Sequence, residues 1–181
     1  MENRVETDLT QGSVVQQLIK YAIPMVTTSL LQALYSMTDI IIAGHFVGSN
    51  GISAINNSSQ IMGIITNIAI GLTVGGNILV GQYFGAGDKE KRAEATGTLF
   101  TLSVFLGILF MIATNVFAKP MLIQLGAPAL EDANAYLKIC TFGLIFIFGY
   151  NAMSAVLRAI GNSKQPFYFI AAATGVNVVL D

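Results

Sequence analysis

YAIPMVTTSLLQALYSMTDIIIAGHF, residues 21–46, is an apolar run with one carboxylate near its end. About 20 apolar residues suffice to cross some 30 Å of hydrocarbon as a helix. Asp39 is the only acidic or basic side chain, His45 aside, between Lys20 and Asp88. An ionised Asp at the centre of a membrane helix costs about 2.5–3.5 kcal/mol on insertion scales. A carboxylate kept there is either functional or reaches the membrane surface.

Composition agrees with a membrane chain. Of 181 residues, 54% are hydrophobic and 10% charged, whereas soluble domains carry about 25% charged residues. Mean hydropathy is +0.66. A net charge of −1 provides no basic patch for nucleic acid. The single Cys140 excludes an internal disulfide framework and reads as a packed thiol. Residues 1–20 read as a polar lead-in, without the apolar core of a cleavable signal.

Further apolar runs cover residues 52–84, 95–118 and 135–157, and a fifth covers 167–181. The fold class expected is all-α: a polytopic membrane bundle of about five helices, the last truncated. Basic residues set the orientation. With the N-terminus inside, Arg4, Lys20, Lys89, Lys91, Arg92, Arg158 and Lys164 are cytoplasmic, and Lys119 and Lys138 are outside. Helices one, three and five then run outward.

Helical rise places two carboxylates at similar depth. Asp39 lies about 27 Å beyond Tyr21, and Asp181 about 22 Å beyond Pro166, both in the outer half. Asn177 shares a face with Asp181. Tyr136 lies near the outer end of the fourth run. Asp39, Asp181, Asn177 and Tyr136 are therefore expected to form one cluster. Desolvated, paired carboxylates take up a proton near neutral pH or bind a cation, and oxygen ligands suit a hard one. The plainer alternative is that Asp39 snorkels outward or bonds a neighbouring helix.

Other features carry less. Gly71/Gly75 and Gly81/Gly85 have the small-residue spacing of close helix packing. Phe142, Phe146, Phe148 and Tyr150 are expected to pack or face lipid, with drug contact as the alternative. His45 reads as a surface residue, and Glu131 and Asp132 as an acidic helix start. There is no metal-ligand spacing and no defensible nucleophile–base pair, so an enzyme is not expected.

Three segments together carry a resemblance. TDIIIAGHFVGSNGISAI (residues 38–55), GQYFGAGDKEKRAEA (81–95) and RAIGNSKQP (158–166) are similar, in order and spacing, to the multidrug and toxic compound extrusion (MATE) transporters. The resemblance implies a twelve-helix fold in two lobes. Residues 1–181 would form the N-terminal lobe without the end of helix five and helix six. It implies secondary active efflux of cationic or amphipathic drugs, driven by H⁺ or Na⁺, at the plasma membrane, with no other cofactor. It carries over Asp39 as the proton-coupling residue and Pro24 as a bend point in helix one. In the DinF-like branch it carries over Tyr136, Asn177 and Asp181 to the same network, a set linked to Na⁺. Asn151 matches a helix-four residue lining the lobe. The missing C-terminal lobe would be needed for transport. The rivals are a lipid-linked sugar flippase of the same superfamily, which wants a basic cavity, and a non-transporting membrane fragment or assembly subunit.

Overall fold

The computed structural model describes residues 13–46 and 48–180, without the side chains of 35, 39, 43, 46, 49, 50 and 177–180. Six helices follow in order: α1 (Val14–Phe46), α2 (Gly48–Gly85), α3 (Lys89–Gln124), α4 (Leu130–Thr141), α5 (Leu144–Ala159) and α6 (Lys164–Leu180). There is no strand among the described residues. Lipid cannot hydrogen-bond a backbone, so spanning segments that satisfy their own amides are the ones that persist. Among the described residues, three helices are long and apolar enough to cross a membrane, or four if α4 and α5, bent by 47° at their break, count as one span.

The boundaries correct the sequence expectations in three places. The polar lead-in ends sooner, because α1 already begins at Val14. The connections flanking α3 shrink to residues 86–88 and 125–129. The fourth run is two helices. Its ladder breaks at Phe142 and Gly143, whose amides bond Ile139 and Cys140 carbonyls three residues back (3.2 and 2.9 Å).

Two of the short loops share one device. Gly87 has φ +73° and Gly161 φ +81°, a conformation that costs glycine little. Each closes its helix with a six-residue ring, Asp88 N–H to Tyr83 O (3.1 Å) and Asn162 N–H to Leu157 O (2.9 Å). The next residue then opens the following helix. Asp88 Oδ1 accepts from Lys91 N–H and Asn162 Oδ1 from Gln165 N–H. The Gly-Asp and Gly-Asn pairs of the two loop motifs are thus helix-stop, helix-start signals.

The core lies among α2, α3, α4 and α5. Ile61, Leu122, Leu137, Leu144 and Phe148 fill one layer, and Leu99, Ala152 and Ala155 another. Phe148 stacks on Phe110 at 5.9 Å. Polar bonds cross the same interfaces: Ser58 to the Ala133 carbonyl, and Asn115 to Thr141 beside the break. By contrast α1 packs on α6 and the edge of α2, and none of its described residues is buried.

The glycines that allow close approach are not the expected ones. A Cβ at Gly71, Gly75 or Gly85 meets nothing within 4 Å, and one at Gly81 makes ordinary contact with Ala159. Between core helices the tight positions are Gly76, against the Leu99 side chain, and Gly107, where a Cβ would sit 3.2 Å from the Ile145 Cα on α5. A backbone neighbour cannot rotate away. Gly107→Ala should therefore destabilise the bundle by about 1–3 kcal/mol, whereas Gly75→Ala should leave stability unchanged or raise it by up to about 1 kcal/mol. Unfolding of the purified chain by titrated SDS in mild detergent micelles measures both.

Candidate functional site

Because α1 and α6 stand apart from the core, a cavity of about 1080 Å³ opens between them and α2 and α5. Small-molecule sites usually fall between about 300 and 1,000 Å³. Met25, Val26, Ile70, Val74 and Ile147 provide apolar wall. Tyr21, Asn77, Arg158 and Ser163 gather at one end, and Gln32 and Thr66 mark the other.

The polar end is braced. The Tyr21 hydroxyl donates to the Arg158 carbonyl (2.8 Å), tying the start of α1 to the end of α5. Asn77 Nδ2 donates to the Ala155 carbonyl (2.7 Å), tying α2 to the same turn. Interhelical bonds of this kind are worth roughly 0.6–2 kcal/mol in lipid. Elsewhere on α1 the hydroxyls of Thr27, Thr28, Ser29 and Thr38 bond back into their own helix.

The residues expected to be functional fall into three groups. Asn151 lies on the cavity wall, its amide donating to the Ile147 carbonyl at 2.8 Å. Tyr150 and Phe146 line the same space, whereas Phe148 is core. Pro24 is half-buried within α1, one turn before Thr28, which lines the cavity and donates to the Pro24 carbonyl. Asp39 lies on α1 and Asn177 on α6, the two helices that pack together. Their side chains, and all of Asp181, are outside the described residues. Tyr136 sits on α4, whose packing partners are α2 and α3.

Sequence reasoning passed over Tyr21, Gln32 and Asn77, and used Arg158 only for orientation and the loop motif. A signal existed: a lone amide such as Asn77 inside an apolar helix is costly unless it finds a partner. No group of three or more His, Cys, Asp or Glu able to hold a metal occurs among the described residues.

A bundle of long apolar helices around a half-polar cavity defines an integral, multi-pass α-helical membrane protein. The chain belongs to the MatE family, whose model matches residues 24–181. It is 26% identical to the Probable multidrug resistance protein YoeA of Bacillus subtilis, over 99% of this chain and 40% of that protein. It is 33% identical to the Probable multidrug resistance protein YpnP of the same organism (96% and 39%). It is 24% identical to the Multidrug export protein MepA of Staphylococcus aureus (94% and 38%). The chain thus spans about two fifths of these relatives. No solved structure matches with significance.

If Tyr21 tethers α1, Tyr21→Phe frees the N-terminal end of that helix. Losing about 1 kcal/mol should speed tryptic cleavage after Lys20 about fivefold in nanodiscs, with cleavage in the α2–α3 loop unchanged.

Proposed function

We propose that this chain is the N-terminal lobe of a secondary active multidrug efflux antiporter in the plasma membrane. Entry of H⁺ or Na⁺ would drive export of cationic or amphipathic drugs by alternating access. The observation that carries this reading is the cavity between a weakly packed α1 and a tightly packed core. Membership of the MatE family, and relatives named for multidrug resistance and export, support it.

In this reading α1 is the moving element. Asp39 is its coupling group, with Asn177, Asp181 and Tyr136 as partners for the proton or Na⁺. A bound ion neutralises the carboxylate, and an uncharged group costs far less where the surroundings are dry. The ion must bind the two states unequally to drive anything. Pro24 leaves the carbonyl one turn earlier without its usual N–H donor, which weakens α1 where it would bend. Asn151 contributes to the substrate wall. The N-terminus is cytoplasmic, in line with the seven basic residues assigned inside against two outside. The opposing lobe completes the path, so this lobe alone does not transport.

A lipid-linked sugar flippase is the weaker reading. It would need a basic cavity for pyrophosphate, whereas the described lining holds a single cation, Arg158.

The test is ethidium efflux, under a proton or sodium gradient, from drug-sensitive bacteria expressing a full-length transporter containing this lobe. Asp39→Asn should reduce efflux to that of empty-vector cells at equal membrane abundance. Undiminished efflux would remove Asp39 from the coupling role.

A further inference from the structure

The bend between α4 and α5 has a specific cause. Sharp bends in helices come from proline, from glycine or from a side chain that enters the hydrogen-bond ladder. Neither α4 nor α5 contains proline. Gly143 lies at the break, yet its backbone is right-handed (φ −70°, ψ −16°), a conformation open to any residue. A Cβ at Gly143 would sit 3.1 Å from the Cys140 carbonyl oxygen, so the glycine accommodates the break rather than making it. The side chain in the ladder is that of Thr141. Its hydroxyl donates to the Lys138 carbonyl at 2.7 Å, the acceptor that a regular helix gives to the Phe142 amide. The Phe142 amide bonds the Ile139 carbonyl at 3.2 Å. Back-bonding of this kind bends helices.

The hydroxyl is itself held from outside its helix. Its one proton goes to Lys138, and its oxygen accepts from Asn115 Nδ2 on α3 at 3.0 Å. Thr141 is fully buried, so neither bond is readily replaced by water. Beyond the break, α5 carries Phe146, Ile147, Tyr150, Asn151 and Arg158 into the cavity wall. At its far end the Arg158 carbonyl accepts from Tyr21 of α1. Arg158 lies about 22 Å along the axis from Gly143. A change of about 10° in the bend would move it by about 4 Å over that length, enough to part the Tyr21 bond.

We propose that Asn115 and Thr141 are positioning residues for the cavity: they fix the elbow between α4 and α5, and the elbow holds the α5 wall where Tyr21 of α1 reaches it. The inference goes beyond the proposed transport, because it concerns how the wall is set and not what the cavity carries. Its test reads geometry rather than efflux, so it and the coupling role of Asp39 fail separately.

A packing role alone has a different consequence. If the two residues only join α3 to α4, their loss weakens the core near the break and leaves the far end of α5 in place. If they set the elbow, their loss is felt at Tyr21, and only while Tyr21 still holds Arg158.

The experiment is a double-mutant cycle on the chain in nanodiscs. Tryptic cleavage after Lys20 reads the Tyr21 contact, and cleavage in the α2–α3 loop is the internal reference. Thr141→Val should speed cleavage after Lys20 about three- to fivefold, approaching the effect of Tyr21→Phe, with the reference unchanged. Added to Tyr21→Phe, it should speed cleavage less than about 1.5-fold further, because the contact it disturbs is already gone. Thr141→Ser keeps the hydroxyl and should behave as the unaltered chain. Asn115→Leu keeps Thr141 but removes its pin. It should act in the same direction as Thr141→Val, and it carries the test if Thr141→Val does not fold. Cleavage after Lys20 at the unaltered rate in either folded variant would overturn the proposal. So would effects that multiply in the double mutant, equal acceleration in the reference loop, or cleavage of Thr141→Ser as fast as that of Thr141→Val.

Discussion

Lipid is as apolar as leucine, so burying one helix against another gains little from the hydrophobic effect inside a membrane. What holds helices together there is close approach and polar bonds across the seam. The core among α2, α3, α4 and α5 has both. At Gly107 α3 comes so close to α5 that a Cβ there would sit 3.2 Å from the Ile145 Cα. Ser58, Asn115 and Asn77 each donate across an interface. The α1 helix has far less of either, with no described residue buried and a hydroxyl tether at Tyr21. The cavity follows from that difference: it is the space left where the cohesive forces stop.

The same difference suits the proposed work. An element that must change its packing cannot be locked by many seams, and low local packing marks the parts of a protein that move. A stiff core with one loosely held helix gives alternating access a fixed wall and a mobile one. The Gly-Asp loop serves the stiff side, joining α2 to α3, and the Gly-Asn loop leads from the core helix α5 to α6. Each stops one helix and starts the next within a few residues. Their strength as family motifs thus has a folding reason, independent of any contact with substrate.

Apolar runs were readable because span length is set by the bilayer, and among the described residues each expected run is helical, the fourth with a break at Phe142 and Gly143. Boundaries were less readable. The residues 14–20 ahead of the first run are polar-flecked, yet they extend α1. The break at Phe142 and Gly143 lies within a continuous apolar run, where hydropathy carries no signal for a bend. Glycine spacing misled, because Gly71 and Gly75 share a pattern with true packing glycines but face open space. Of the site, Asn151 was legible through family resemblance, whereas Arg158 was visible only as a loop charge. Its place on the cavity wall depends on how α5 packs, which a linear sequence does not show.

The central claim is that water reaches the space between α1 and α5 while the core stays sealed. With Cys140 replaced by Ser, cysteines at Asn151 and at the fully buried Ser103 can be compared for labelling by a small charged methanethiosulfonate in nanodiscs. Rapid modification at Asn151→Cys with none at Ser103→Cys is the predicted result. Equal protection of the two positions would mean that α1 closes on the core, and the account of the cavity would be wrong.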